Sequence, residues 1–468
     1  VVRNLAGPLR SLPIAVPNAG PAAVPLVDAG GQAHPLAGVA SSLLLFQLFL
    51  LYSRGPELLS IYVSGYLYLV RPLAIALLIA LVFTGGLRRV FASRAVLALT
   101  AFTAWLLLAT PFSVWPGGSV AMLREYWSRT YLLAITTAGL IVSTNQVRKA
   151  LQATGLGTAL LALLTSFVGD LSTGRLQLEA GTLSNPNDLA FFLLGGIPGC
   201  VLLSKSPGIG WRMAGRLGIV LILLSAFNTG SRMGILMVLA LVLVQFFRLP
   251  NAAKAKLLLA AVVIGAAGAA LMPPEALDRY RTMWSDPATV EEEPDSRQAQ
   301  YARGSTDGRT ALFKLSLKMT FANPLLGVGP GMFGEATSAD DVAREQKLAW
   351  RQTHNSYTQI SSEAGIPALI LYLVALVHTI RITVLIARRL RSVPSLKPLA
   401  DTADALFLAL LLFAVGACFG SFAYGFYFPV LAALAAALEG TARAELAAMA
   451  ARARLLNGAL PPSARHQP

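Results

Sequence analysis

Apolar residues in this chain fall in long continuous runs, not in the alternation of half-buried strands. A helix needs roughly 20 mostly apolar residues to cross the hydrocarbon of a bilayer. Twelve segments approach that length, near 36–52, 66–84, 95–110, 126–143, 149–168, 188–204, 213–228, 232–248, 255–272, 364–386, 403–424 and 426–441. The missing alternation excludes a transmembrane barrel. The pattern predicts an all-α polytopic membrane protein of about twelve transmembrane helices. The last two form a tight hairpin, broken only at Ala423-Tyr424-Gly425.

The connections alternate in charge. Arg88, Arg89 and Arg94 follow the second run, Arg148 and Lys149 the fourth, and Lys205, Arg212 and Arg216 the sixth. Arg248, Lys254 and Lys256 follow the eighth, and Arg388, Arg389, Arg391 and Lys397 the tenth; Asp401 is the one acid in these loops. The positive-inside rule makes these loops cytoplasmic, together with both termini. The expected order is a cytoplasmic arm 1–35, spans one to nine over 36–272, a large periplasmic loop 273–363, spans ten to twelve over 364–441, and a basic cytoplasmic tail 442–468. Residues 1–35 are rich in Pro and Gly, lack the pattern of a cleavable signal peptide, and are expected to be poorly ordered.

Composition agrees. Of 468 residues 55% are hydrophobic and 13% charged, against about 25% charged in soluble domains. That excludes a soluble enzyme, a disordered chain and a collagen-like chain. The net charge of +15 lies in short clusters between apolar runs, so it reads as loop topology and not as a nucleic-acid surface. Cys200 and Cys418 both sit in apolar segments and form no disulfide framework.

The loop 273–363 holds twelve of the 23 acidic residues between Glu275 and Glu345. Its run Glu291, Glu292, Glu293, Pro294, Asp295 reads as solvated linker; no patterned His or Asp accompanies it, so no metal site is expected. Arg309–Phe321 reads as an amphipathic helix suited to the outer leaflet surface, with Leu312, Leu315, Ser316 and Met319 on one face and Lys314 and Lys318 on another. Asn323-Pro324 ends it, and Gly327-Val-Gly-Pro-Gly331 forces a turn where backbone passes closely.

Ionisable groups at a membrane boundary are functional candidates. Arg124, Arg129, Arg175, Arg232 and Arg309 all fall at outward ends, where the charge rule disfavours arginine. Each is open to a plain explanation, by snorkelling or by pairing with Glu125, Glu179 or Asp188. As a set they point to an anionic ligand, because the guanidinium fork donates two parallel hydrogen bonds to phosphate. Arg232 stands at a helix start, which itself favours an anion. In Ser184-Asn-Pro-Asn-Asp188, Asn187 or Asp188 is the expected N-cap of the sixth span. Of four histidines, His34 and His466 lie in the terminal arms and His378 lies within a span near Arg381 as a packing residue. His354 alone lies at the outward boundary, either as a structural cap of the next helix or as a proton acceptor. Tyr357 and Glu363 follow it as orienting or packing groups.

Several patterns then occur in order: Thr182-Leu-Ser-Asn-Pro-Asn187, Thr229-Gly-Ser-Arg-Met-Gly234, Gly308-Arg309, Asn323-Pro-Leu-Leu-Gly-Val-Gly-Pro-Gly-Met-Phe333 and His354-Asn-Ser-Tyr-Thr-Gln-Ile-Ser-Ser-Glu-Ala-Gly-Ile366. Over about 175–425 the chain resembles the O-antigen ligase and polymerase superfamily of bacterial membrane glycosyltransferases. The resemblance implies a GT-C-like fold, with the large periplasmic loop between the ninth and tenth spans. It implies an inverting, metal-independent transferase of the inner membrane, working at the periplasmic face without cofactor or nucleotide. The donor would be O-antigen polysaccharide on undecaprenyl pyrophosphate. The acceptor would be a sugar hydroxyl of lipid A–core, giving lipopolysaccharide. By resemblance His354 is the general base, and Arg232, Arg309 and Arg175 bind the pyrophosphate, with Arg124 and Arg129 as further outward candidates. Asn187, Tyr357 and Glu363 are supporting residues. Thr358 stands where such chains commonly carry Leu. The alternatives are an O-antigen polymerase or a protein O-oligosaccharyltransferase with the same donor, and, in another class, a solute transporter. A transporter would show repeated halves and midplane charges; neither is found in the sequence.

Overall fold

A computed structural model of the chain describes residues 35–62, 70–172, 174–178, 181–281, 297–343 and 352–459. The N-terminal arm to residue 34, Glu179, the acidic run 291–295 and residues 460–468 lie outside the described residues. Each predicted apolar run is helical over most of its described length, but the run 403–424 leaves the helix at Gly416, and the last two spans are joined by the ten-residue loop 417–426 and not by a tight hairpin broken only at 423–425. In chain order the helices are α1 Pro35–Ser53, α2 Gly55–Tyr62, α3 Val70–Phe83, α4 Gly86–Phe91, α5 Arg94–Ala109, α6 Pro116–Met122, α7 Ser128–Leu140 and α8 Thr144–Val168. There follow α9 Pro186–Gly195, α10 Ile197–Ser204, α11 Ile209–Asn228, α12 Arg232–Arg248, α13 Asn251–Leu271 and α14 Pro274–Arg281. The last are α15 Arg297–Ala322, α16 Phe333–Ala343, α17 Ser356–Leu390, α18 Lys397–Gly416 and α19 Tyr427–Ala459.

Among the described residues eight helices are long and apolar enough to cross a membrane: α1, α5, α8, the α9–α10 pair, α11, α13, α17 and α18. The other four predicted spans are helical but shorter or more polar. Helix α3 has 14 residues, α7 has 13 and α12 has 17. The apolar start of α19 runs into a charged second half. Interior and rim are clearly separated. Pro186–Ser204 is 78% buried inside the protein, whereas Asn251–Leu271 is 6% buried and shows nearly all its surface outward. Helix α8 holds α1, α10 and α11, and α17 packs on α5, α15, α18 and α19. Edge-to-face contacts of Phe102 with Trp127 and Tyr372, at 5.2 and 5.5 Å between ring centres, fill the α5–α7–α17 core.

Four expectations change in detail. The sixth span is two helices, broken at Gly196 because Pro198 cannot continue the ladder of α9. The tenth begins earlier, at Ser356, and bends at Gly365, whose φ of 84° is non-helical. Arg309 does not open its helix: α15 starts at Arg297 and runs through Gly304-Ser-Thr-Asp-Gly308, poor helix formers without an apolar period, which hid the first three turns in the sequence. The basic tail is no separate segment as far as residue 459, because α19 continues through it unbroken.

Candidate functional site

The turn between α11 and α12 is built from Thr229-Gly230-Ser231. Gly230 takes φ 59°, and the Ser231 hydroxyl caps α12 by accepting from the Gly234 amide at 3.3 Å. The same hydroxyl donates to Asn187 Oδ1 at 3.0 Å. Arg175 reaches across from the preceding loop, donating from Nε to the Thr229 carbonyl at 2.8 Å and from Nη2 to Asn187 Oδ1 at 3.2 Å. Asn187 is therefore a bracket for this turn and not the helix cap. Asn185 is the cap, accepting from the Asn187 amide at 2.9 Å, because Pro186 takes the first helical position. Arg175, expected to face a phosphate, has two of its donors committed to the turn that starts α12. Arg232 is the first residue of α12 and is half-buried.

The second part is the segment Thr353–Tyr357. Asn355, not His354, caps α17, its Oδ1 accepting from the amides of Tyr357 and Thr358, both at 3.0 Å. His354 has left-handed φ of 51°, a conformation uncommon outside Gly, Asn, Asp and His. The loop between α18 and α19 holds it there. The His354 amide donates to Ser421 Oγ at 3.0 Å, Ser356 Oγ donates to the Gly420 carbonyl at 2.7 Å, and the Phe422 amide donates to Ser356 Oγ at 2.8 Å. Tyr357 donates its hydroxyl to the Ala414 carbonyl at 3.0 Å, which makes it a tie to α18.

The third part is a joint between α15 and α17. At Gly365 the bend leaves backbone groups of α17 without helical partners, and the turn 327–331 supplies them. The amides of Val328 and Gly329 donate to the carbonyls of Ser362 and Glu363 at 2.9 and 2.8 Å, and the Ile366 amide donates to the Pro324 carbonyl at 2.8 Å. The buried Glu363 carboxylate accepts from the amides of Gly331 at 3.0 Å and Phe333 at 3.3 Å. Trp105 donates to the Ala364 carbonyl at 2.9 Å. A Cβ on Gly365 would lie 1.9 Å from the Leu325 carbonyl oxygen, and one on Gly329 would lie 1.9 Å from Ser113 Oγ. On α15 itself, Thr320 and Ser361 share a hydrogen bond at 2.8 Å. The predicted face turns inward: Ser316 is fully buried, Leu312, Leu315 and Met319 are half-buried, and Lys314 and Lys318 are exposed.

This framework brings three of the predicted residues together. Arg309, partly buried on α15, is held below the usual arginine range by desolvation first and by the Arg232 charge second, while Asp188 acts the other way. His354 is pushed down to about 4, from an ordinary 6.5, by burial first and by the Arg309 guanidinium second. Arg309 thus lies within electrostatic reach of Arg232, Asp188 and His354, each from a different segment of chain. Asp188 was legible only as a cap or ion-pair partner. The structure does not bring Arg124 and Arg129 to this group. Arg124 is 74% exposed and pairs with its neighbour Glu125 at 2.9 Å, and Arg129 is exposed. Arg54, which no sequence pattern marked, is buried at the end of α1, where it pairs with Glu57 at 2.7 Å and lies 4.9 Å above the Phe192 ring. Among the described residues no group of His, Cys, Asp or Glu is gathered that could hold a metal ion.

Chemically, the arrangement offers two guanidinium groups to an anion beside a neutral imidazole able to accept a proton. Residues 217–373 match a family model described as O-antigen ligase. That stretch contains Arg232, Arg309, the 327–331 turn, His354 and the bend at Gly365; Arg175, Asn187 and Asp188 precede it. No curated protein matches the chain. Over that stretch the chain is similar to the O-antigen ligase family, and eight helices among the described residues are of membrane-spanning length.

Proposed function

We propose that the chain is the ligase of its superfamily, transferring O-antigen polysaccharide from undecaprenyl pyrophosphate to a sugar hydroxyl of lipid A–core at the periplasmic face of the inner membrane. The observation that supports this reading is that the Arg309 charge acts on His354 and the Arg232 charge acts on Arg309. In the proposed reaction Arg232 and Arg309 take the pyrophosphate, and Arg175 with Asn187 positions the turn that presents Arg232. His354 removes the proton of the acceptor hydroxyl as that oxygen attacks the anomeric carbon. The bond from that carbon to the pyrophosphate breaks on the opposite face, the configuration inverts, and undecaprenyl pyrophosphate leaves. Neutralising the leaving group in a poorly solvated site is the larger contribution; base catalysis typically adds about 10²–10⁴-fold. The polyprenyl tail lies between spans, and the topology has twelve spans with both termini cytoplasmic.

Polymerisation uses the same donor and differs only in the acceptor. Reconstitution of the purified chain with undecaprenyl-pyrophosphate glycan and rough lipopolysaccharide, without nucleotide or divalent metal, separates the two. Glycan on lipopolysaccharide supports the ligase. Longer glycan still on the carrier overturns it in favour of the polymerase.

A further inference from the structure

At the far end of the bundle, five ionisable side chains stand outside the site described above. Arg94 opens α5, His378 and Arg381 are one turn apart on α17, and Glu439 and Arg443 are one turn apart on α19; they line a cavity of about 130 Å³. The one carboxylate is already engaged. Glu439 is bonded by Arg443, and its Oε2 lies 3.8 Å from His378 Nε2. Among the described residues, Arg94 and Arg381 have no ion-pair partner, and both are exposed.

The cavity's depth in the bundle is set by α17. Counted along its two parts on either side of the bend at Gly365, α17 supplies at most roughly 34 Å of helix from Asn355 to His378 at ~1.5 Å per residue, on the order of one hydrocarbon thickness. The cavity therefore sits at the opposite membrane boundary from His354. Arg388, Arg389 and Arg391 follow just beyond it, and the charge bias makes this the cytoplasmic boundary.

The surface above the cavity is apolar and outward-facing. Ile370, Val374 and Val377 are 54%, 52% and 60% exposed. Their spacing continues to Arg381, so the four form one stripe along α17 that ends in a guanidinium. On α5, which packs against α17, Arg94 lies one turn below the exposed Leu97. Each unpaired arginine is thus the polar foot of an apolar stripe. A ligand that matches both parts is an amphiphile with an anionic head.

We propose that this cavity binds the phosphate of an anionic phospholipid from the cytoplasmic leaflet, with its acyl chains along the α5 and α17 stripes. Guanidinium forks suit a phosphodiester, and basic pockets between spans on this side commonly hold such heads. A bound phosphate would supply the counter-charge that Glu439 alone does not, and would fasten α5, α17 and α19 together. The proposal does not depend on the transferase reaction.

The test is thermal unfolding and native mass spectrometry of the purified full chain in uncharged detergent. Phosphatidylglycerol, phosphatidylcholine and inorganic phosphate are the three probes. Phosphatidylglycerol should raise Tm and survive as a bound lipid, while phosphatidylcholine and inorganic phosphate should not. The double variant Arg94→Gln/Arg381→Gln should bind phosphatidylglycerol at least about tenfold more weakly with its lipid-free Tm little changed. Should that pair fail to purify, Arg381→Lys, which keeps the charge but loses the fork, should weaken binding to a smaller degree. Equal binding of phosphatidylglycerol by wild type and variant would overturn the proposal, as would equal stabilisation by phosphatidylcholine. Stabilisation by inorganic phosphate to the same extent would overturn the lipid as ligand.

Discussion

His354 carries the sharpest expectations at the scale of a residue. Its value is lowered from 6.5 to about 4, so at pH 7 the imidazole is neutral and can take a proton. The folded chain binds fewer protons here than the unfolded chain. This group's stabilising contribution is therefore complete above about pH 6.5 and is lost as pH falls toward 4. A bound pyrophosphate would offset the Arg309 charge and raise the imidazole again. The acid limb of kcat should accordingly lie at higher pH than that of kcat/KM; coincident limbs would mean that His354 and the donor phosphates are not neighbours. His354→Ala should retain donor binding, measured with non-reacting acceptor, while turnover falls by about 10²–10⁴-fold. Arg232→Ala should leave Tm little changed and lower kcat by about 10²–10³-fold, and a purified variant with full activity would remove the pyrophosphate from this position. The histidine and two of the arginines were legible because charged groups are costly at a membrane boundary. Their partners were not. Nothing in the spacing of Asn187 shows that its carbonyl would accept from both Ser231 and Arg175, since the two donors come from opposite sides in the chain, Ser231 from more than forty residues away.

Helices α15 and α17 show what a single element could and could not disclose. The Gly-rich stretch 327–331 announced a close passage of backbone, and Glu363 a supporting role. Hydropathy placed a span start near 364, so the bend that these residues serve was hidden inside an apolar run. Only the folded chain shows Gly331 and Phe333 donating to Glu363. Two substitutions test the joint. Gly365→Ala meets a carbonyl 1.9 Å away and puts a side chain on a left-handed backbone, which alone costs about 1–3 kcal/mol; the variant should unfold at lower temperature and lose activity. Glu363→Gln replaces one accepting oxygen with a donor that faces an amide, leaving a buried group unsatisfied at a cost of about 1–3 kcal/mol. An unchanged Tm in Glu363→Gln would show that the carboxylate is not what holds the turn.

For the whole molecule, the long apolar runs announced a helical membrane bundle, and each of the twelve holds a helix, eight of them of membrane-spanning length among the described residues. Burial order was not legible, because α9–α10 and α13 are similarly apolar although one is enclosed and the other almost bare. Which helices sit inside depends on partners such as Phe422, stacked at 3.8 Å on Phe191 from more than two hundred residues away. Arginines gather at both ends of the bundle, beside His354 at one and around Glu439 at the other, and α17 runs between them. The joint at Gly365 has one more consequence. Because the amides of Val328 and Gly329 close on α17 carbonyls, a surface-loop sequence should show deuterium uptake as slow as that of a buried helix, opening only with the outer half of α17 as one cooperative unit.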